Sequence, residues 1–137
     1  SNGPGDPAVL QVQVAQIRAL IDRIPVLGIC LGHQLVAEAL GGETFKMKFG
    51  HHGVNHQVRD ATTDQVYVTS QNHGFAVSDE TLPDGIDVWF KNANDGTVEG
   101  LIDRTRRIAT VQFHPEASPG PTDAAWIFDT FLELARP

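Results

Sequence analysis

Apolar residues follow two rhythms along this chain. Leu10, Val14, Ile17 and Ile21 recur at intervals of three and four, which predicts an amphipathic helix over residues 7–22. Asp6 and Pro7 supply its start: a capping carboxylate, then a proline whose missing N–H costs nothing in the first turn. Pro25-Val26-Leu27-Gly28-Ile29 is a short unbroken apolar run, the pattern of a strand buried on both faces. Helical spacing returns from Leu31 to Leu40 and stops at Gly41-Gly42. Further on, Val66-Tyr67-Val68 reads as a strand. Ile86 to Phe90 and Thr97 to Ile102 flank Asn94-Asp95-Gly96, a hairpin signal. Ile108 to Phe113 is a strand expected to pair with its predecessor across the Asp103–Arg107 turn. Residues 122–135 close as a helix with Ile127, Phe131 and Leu134 on one face. The sum is a three-layer α/β domain with an antiparallel extension. A glycine-rich turn, Ser1-Asn2-Gly3-Pro4-Gly5-Asp6-Pro7, opens the chain where a strand would normally precede it. The expectation is therefore the C-terminal part of a domain truncated at its N-terminus, over residues 1–137.

A length of 137 residues suits one globular unit. Ten Lys and Arg against 17 Asp and Glu leave a formal charge of −7 and no basic run. That balance argues against nucleic acid and against an anionic membrane surface as partners. No stretch approaches the length of a membrane span. The single cysteine, Cys30, makes no internal disulfide, and a reducing, cytoplasmic setting is the simplest expectation.

Gly28-Ile29-Cys30-Leu31-Gly32 lies between the buried strand and the next helix. It has the form of a nucleophile elbow, a sharp turn that lifts one side chain above the sheet. A side chain at either glycine would collide with the neighbouring strand or helix. Cys30 at a helix N-terminus is expected to favour thiolate; the plain alternative is a small buried hydrophobe. For a base, His114-Pro115-Glu116 is the informative group. Proline biases His114 toward extended backbone, and residues two apart then project to one side, so Glu116 reaches the imidazole. A surface His–Glu pair at a strand end is the alternative. His33 competes as base but sits on the helix just past Cys30 and is expected to point elsewhere. His51, His52 and His56 suggest zinc by spacing, yet they lack a Cys or carboxylate partner, and Gly50 and Gly53 mark a loop; no metal site is expected. Asn72-His73-Gly74 reads as a turn whose backbone could face a zwitterion, or as a plain loop.

Gly28-Ile29-Cys30-Leu31-Gly32-His33-Gln34 and Gln112-Phe113-His114-Pro115-Glu116 resemble the class I (triad) glutamine amidotransferase domains, a flavodoxin-like α/β fold. The opening glycine-rich turn, Lys46 to Gly53, Gln71 to Val77 and His114 to Pro121 are similar to the small, glutamine-hydrolysing subunits of carbamoyl-phosphate synthases. That resemblance implies a Cys30–His114–Glu116 triad that hydrolyses L-glutamine through a thioester. It implies an oxyanion hole from the N–H groups of Gly3 and Leu31, and glutamine binding by Gly3, Gly5, Leu31, Gln34, Asn72, Gly74 and Phe75. It also implies delivery of ammonia to a large subunit that carries ATP and Mg, for carbamoyl phosphate used in arginine and pyrimidine synthesis. No cofactor is expected on this chain, which lacks a phosphate-binding glycine loop. Another triad amidotransferase, a γ-glutamyl hydrolase, a cysteine peptidase and an inactive structural subunit stay open as alternatives.

Overall fold

A computed structural model describes residues 5–116, 121 and 123–137 of the chain. Asp6 caps a single 3-10 turn, Pro7–Val9, by accepting the Ala8 N–H at 2.9 Å. Helix α1 follows at Gln11–Leu20, so the predicted helix over 7–22 is two pieces with a break at Leu10. Strand β1 is Val26–Ile29, and helix α2 is Leu31–Ala39. Then come β2 (Thr44–Asp60), β3 (Val66–Val77), β4 (Asp87–Asn92), β5 (Val98–Asp103), β6 (Ile108–Val111) and helix α3 (Trp126–Ala135). No described helix is long and apolar enough to cross a membrane.

All six strands form one sheet in the order β1-β6-β5-β4-β2-β3. β1 and β6 run parallel, Ile29 opposite Val111, and every other pairing is antiparallel. The two expected hairpins, β4–β5 and β5–β6, are both present. Along β6 successive residues serve opposite faces, because side chains alternate across a strand. Ile108 packs with Val14, Ile21, Leu35 and Val36 of α1 and α2. Ala109 and Val111 pack on the other side with Trp89, Phe90, Phe113 and Ile127, beneath α3. That is the three-layer arrangement the alternation of elements predicts.

Two expectations fail in the middle of the chain. Residues 44–60 were expected to include a loop around Gly50 and Gly53, yet they form one 17-residue strand. The pairing slips between Lys46/His51 and between Gly53/His56, so both glycines sit at irregularities, with φ of +72° and +139°. A Cβ on Gly50 would stand 2.6 Å from the His73 carbonyl oxygen, so only glycine permits the strands to approach there. Likewise Asn72-His73-Gly74 is not a turn. It lies inside β3, with His51 opposite His73 and His52 opposite Asn72. Of the closing helix predicted over 122–135, Thr122 lies outside the described residues.

Candidate active site

β1 ends at Ile29 and the chain turns sharply into α2. The turn is made by Cys30, at φ +54° and ψ −106°, a left-handed conformation that a residue bearing a side chain rarely adopts. Two features hold it there. The Cys30 N–H donates to the Val111 carbonyl of β6 at 2.9 Å. A Cβ on Gly28 would lie 2.8 Å from the Gly32 backbone, so this glycine is what lets helix and strand close over the turn.

The sulfur stands at the wall of a cavity of about 280 Å³, lined by Gly5, Asp6, Cys30, Gln34, His52, Asn72, His73, Gly74 and Phe75. It opens beyond the carboxyl ends of the parallel pair β1 and β6, where open α/β sheets bind ligands. Its size suits a small molecule. Five of the residues expected to bind a ligand are therefore gathered here: Gly5, Gln34, Asn72, Gly74 and Phe75. Leu31 is a neighbour through its backbone N–H, which is directed at the Cys30 sulfur. Gly3, the other expected oxyanion donor, lies outside the described residues.

Cys30 is only 2% exposed. Burial pushes its thiol up to about 11, against the lowering effect of the Leu31 N–H and the Gln112 side chain. The expected thiolate is thus overturned: loss of water disfavours the anion more than the helix terminus favours it. The S–H rests on the Asn72 carbonyl at 3.8 Å, and the Gln112 Nε2–H donates to the sulfur at 3.7 Å.

His114 follows Phe113, which is fully buried and fixes the segment beneath it. The His114 N–H donates to the Ser70 carbonyl of β3 at 2.9 Å, and its Nδ1 meets Glu116 Oε1 at 2.6 Å. Because a carboxylate only accepts, Nδ1 carries the proton and Nε2 is left as the basic atom. His33 is fully buried, bonded through Nδ1 to Thr110 Oγ1 at 2.8 Å, and burial depresses it to about 3. It is a neutral core residue.

Of the histidines at 51, 52 and 56, the rings of His51 and His56 lie 5.3 Å apart, and His52 is separated from them. Pleating sends His51 inward and His52 outward, where its ring meets Asn72 Oδ1 at 2.9 Å. His51 joins His73 and Glu99, and these are the described side chains able to hold a metal ion, their ligand atoms within 4.8 Å of one another. The hydrogen bonds assign protons there instead. His73 Nδ1 lies 2.8 Å from the Phe75 carbonyl and Nε2 lies 2.8 Å from Gln71 Oε1, two oxygens that only accept, with His51 Nδ1 3.2 Å from the same Nε2. His51 Nε2 donates to Asp95 Oδ2 at 2.7 Å, and Nδ1 also stands 3.2 Å from Glu99 Oε1. With a carboxylate at each ring nitrogen His51 is accordingly an imidazolium, raised to about 9 chiefly by Glu99, while burial lowers His73 to about 4 against the opposing Phe75 carbonyl. Burial raises the Glu99 carboxyl, and His51 opposes that rise. Glu99 and Gln112 are the members of this environment that sequence reasoning passed over, since both sit in apolar strand runs that read as core.

The family model for class-I glutamine amidotransferases matches residues 1–134. The carbamoyl phosphate synthase small chain of Nitratidesulfovibrio vulgaris (strain DSM 19637 / Miyazaki F) is 55% identical over 136 residues, covering 99% of this chain and 36% of the relative. The protein of that name from Methanocaldococcus jannaschii is 56% identical over 134 residues, covering 98% and 38%. This chain thus spans little more than a third of the length of these relatives. A crystal structure of a glutamine amidotransferase from Thermotoga maritima superposes with a TM-score of 0.71 at 22% identity, covering 97% of this chain and 61% of that one, a likeness of fold.

Proposed function

This chain belongs to the class-I glutamine amidotransferase family, and from that premise we propose that it is the glutaminase segment of a carbamoyl-phosphate synthase small chain. Cys30 attacks the side-chain carboxamide of L-glutamine, and the thiol proton passes to Nε2 of His114 as the C–S bond forms. Glu116 holds the imidazole in the Nδ1–H form and stabilises its charge. The tetrahedral oxyanion is met by the N–H of Leu31 and the N–H of Gly3, one such donor being worth roughly 2.7–4 kcal/mol. His114 then protonates the departing nitrogen, ammonia leaves, and water, deprotonated by the same ring, hydrolyses the thioester to glutamate. Since burial keeps the thiol protonated, attack is coupled to proton transfer and uses no standing thiolate. Gln34, Asn72, Gly74 and Phe75 hold the amino-acid end of the substrate. The ammonia is consumed on a larger partner that binds ATP, Mg and bicarbonate.

One observation carries this reading: a strained cysteine elbow faces a small cavity lined by five of the expected binding residues, Gly5, Gln34, Asn72, Gly74 and Phe75, with a His114–Glu116 pair leaving the adjacent strand. The experiment is Cys30→Ser in the full chain, assayed by glutamate release. Loss of turnover by at least about a thousandfold is expected for removal of a covalent nucleophile; glutamine hydrolysis at the normal rate would falsify the assignment. The partner is tested separately, by requiring glutamine-dependent carbamoyl phosphate formation in the assembled complex.

A further inference from the structure

Gln112 follows β6, fully buried, with its backbone N–H held by the Glu99 carbonyl at 2.9 Å. Its side-chain orientation is dictated by a chain of obligatory polarities. The Phe75 carbonyl only accepts, so the contact of 2.9 Å from Gln34 requires the Gln34 Nε2 end there. The second N–H of that same nitrogen is 3.0 Å from Gln112, which must therefore present Oε1. Gln112 is left with its Nε2 facing the Cys30 sulfur, at 3.7 Å. Gln34 itself lines the cavity, and its Oε1 carries no hydrogen bond among the described residues.

We propose that Gln112 is a positioning residue for the Cys30 sulfur, and that its amide relays occupancy of the Gln34 end of the cavity to the thiol. A substrate ammonium accepted by Gln34 Oε1 polarises that amide and strengthens its N–H donation to Gln112 Oε1. Gln112 is polarised in turn and donates more strongly to sulfur as negative charge develops there, cooperative gains of about 10–30% per bond. Glu99 and Glu116 act on the sulfur in the opposite sense, by charge. Asp6, His52 and His73 are the other titratable groups on the cavity wall, and the His114 ring is paired with Glu116. Among the described residues, Gln112 is the one side chain that donates a hydrogen bond to the sulfur.

This relay rests on the nucleophile reading for its catalytic meaning, so the test includes a readout independent of turnover. In the full chain, Gln112→Met keeps the side-chain length and removes the donor; Gln112→Glu keeps an acceptor for Gln34 and removes the donor. The rate of Cys30 alkylation by iodoacetamide is measured against pH, together with kcat and KM for glutamine. Gln112→Met is expected to move the alkylation midpoint up by about one unit, slowing the reaction about tenfold at pH 8, and to raise KM as Gln34 loosens. Gln112→Glu is expected to leave KM within about twofold while kcat falls at least about tenfold. Residues that only fill space would lower thermal stability and leave the alkylation profile where it was. A wild-type profile in Gln112→Met overturns the proposal; should that variant not fold, an unchanged kcat in Gln112→Glu does so. If Cys30→Ser still hydrolyses glutamine, the nucleophile reading falls, and the alkylation profile decides the Gln112 contact on its own.

Discussion

At the scale of single residues, the site is built from backbone permission and paired protons. Cys30 holds a left-handed φ because Gly28 leaves room for the Gly32 and His33 backbone. Gly28→Ala is therefore expected to destabilise the fold by about 1–3 kcal/mol through overpacking, read from the urea midpoint. The clash is with backbone, which cannot rotate away. His114 and Glu116 form a second local unit, since residues two apart can face together. His114→Asn is expected to lower kcat about 10²–10⁴-fold and to slow Cys30 alkylation near neutral pH, with Glu116→Gln costing less because the amide still holds the ring. Normal values for both would move the base elsewhere. This pair was legible in the sequence because only one intervening residue is involved. The thiol's ionisation was not, because burial is set by elements more than 40 residues away, such as Asn72 and Gln112.

At the scale of elements, the legible ones announce themselves by apolar pattern: β1, α2, the β4–β5 hairpin and α3. Of the β2–β3 ribbon only the start of β3, Val66-Tyr67-Val68, does so. The ribbon's inward positions include His51, Asp60, Thr69, Gln71 and His73, all buried. Such residues read as loop in one dimension, yet each finds a partner: Gln71 Nε2 donates to Glu99 Oε2 at 2.7 Å, His51 bridges Asp95 and His73, and Asp60 accepts from Thr62 in the adjoining turn. Burying a charge is tolerable only with such pairing. His51→Ala is expected to destabilise by about 3–5 kcal/mol by stranding Glu99, while adding Glu99→Leu recovers most of that loss, as a denaturation double-mutant cycle would show. Additive losses would mean that the two side chains are not coupled.

For the molecule as a whole, the buried histidines set a pH window. His51 is raised in the folded state, so its contribution is full below its unfolded value of 6.5 and is lost as pH rises through about 9. Cys30, raised from 9.0 to about 11, adds to the alkaline loss. His33 and His73 are depressed, so their contributions are full above 6.5 and are lost as pH falls toward about 3 and about 4 respectively. Stability should accordingly peak near pH 6.5, and His51→Asn should flatten the alkaline limb between about 6.5 and 9. Urea midpoints across pH measure both; an alkaline limb unchanged in His51→Asn would place the proton elsewhere.

What the chain alone determined is what neighbouring residues decide among themselves: the helical periods, the glycine-bounded cysteine turn, the hairpin at Asn94-Asp95-Gly96, and a histidine with a carboxylate two places on. Collisions, side-chain period and turn geometry act over a few residues, so they are written locally. The folded arrangement decided which polar residues go inside, whether the sulfur is charged, and how Gln34, Gln112 and Cys30 come to share hydrogen bonds across 78 and 82 positions of sequence. Those outcomes depend on desolvation and on partners brought from distant strands, quantities that do not exist until the sheet has closed.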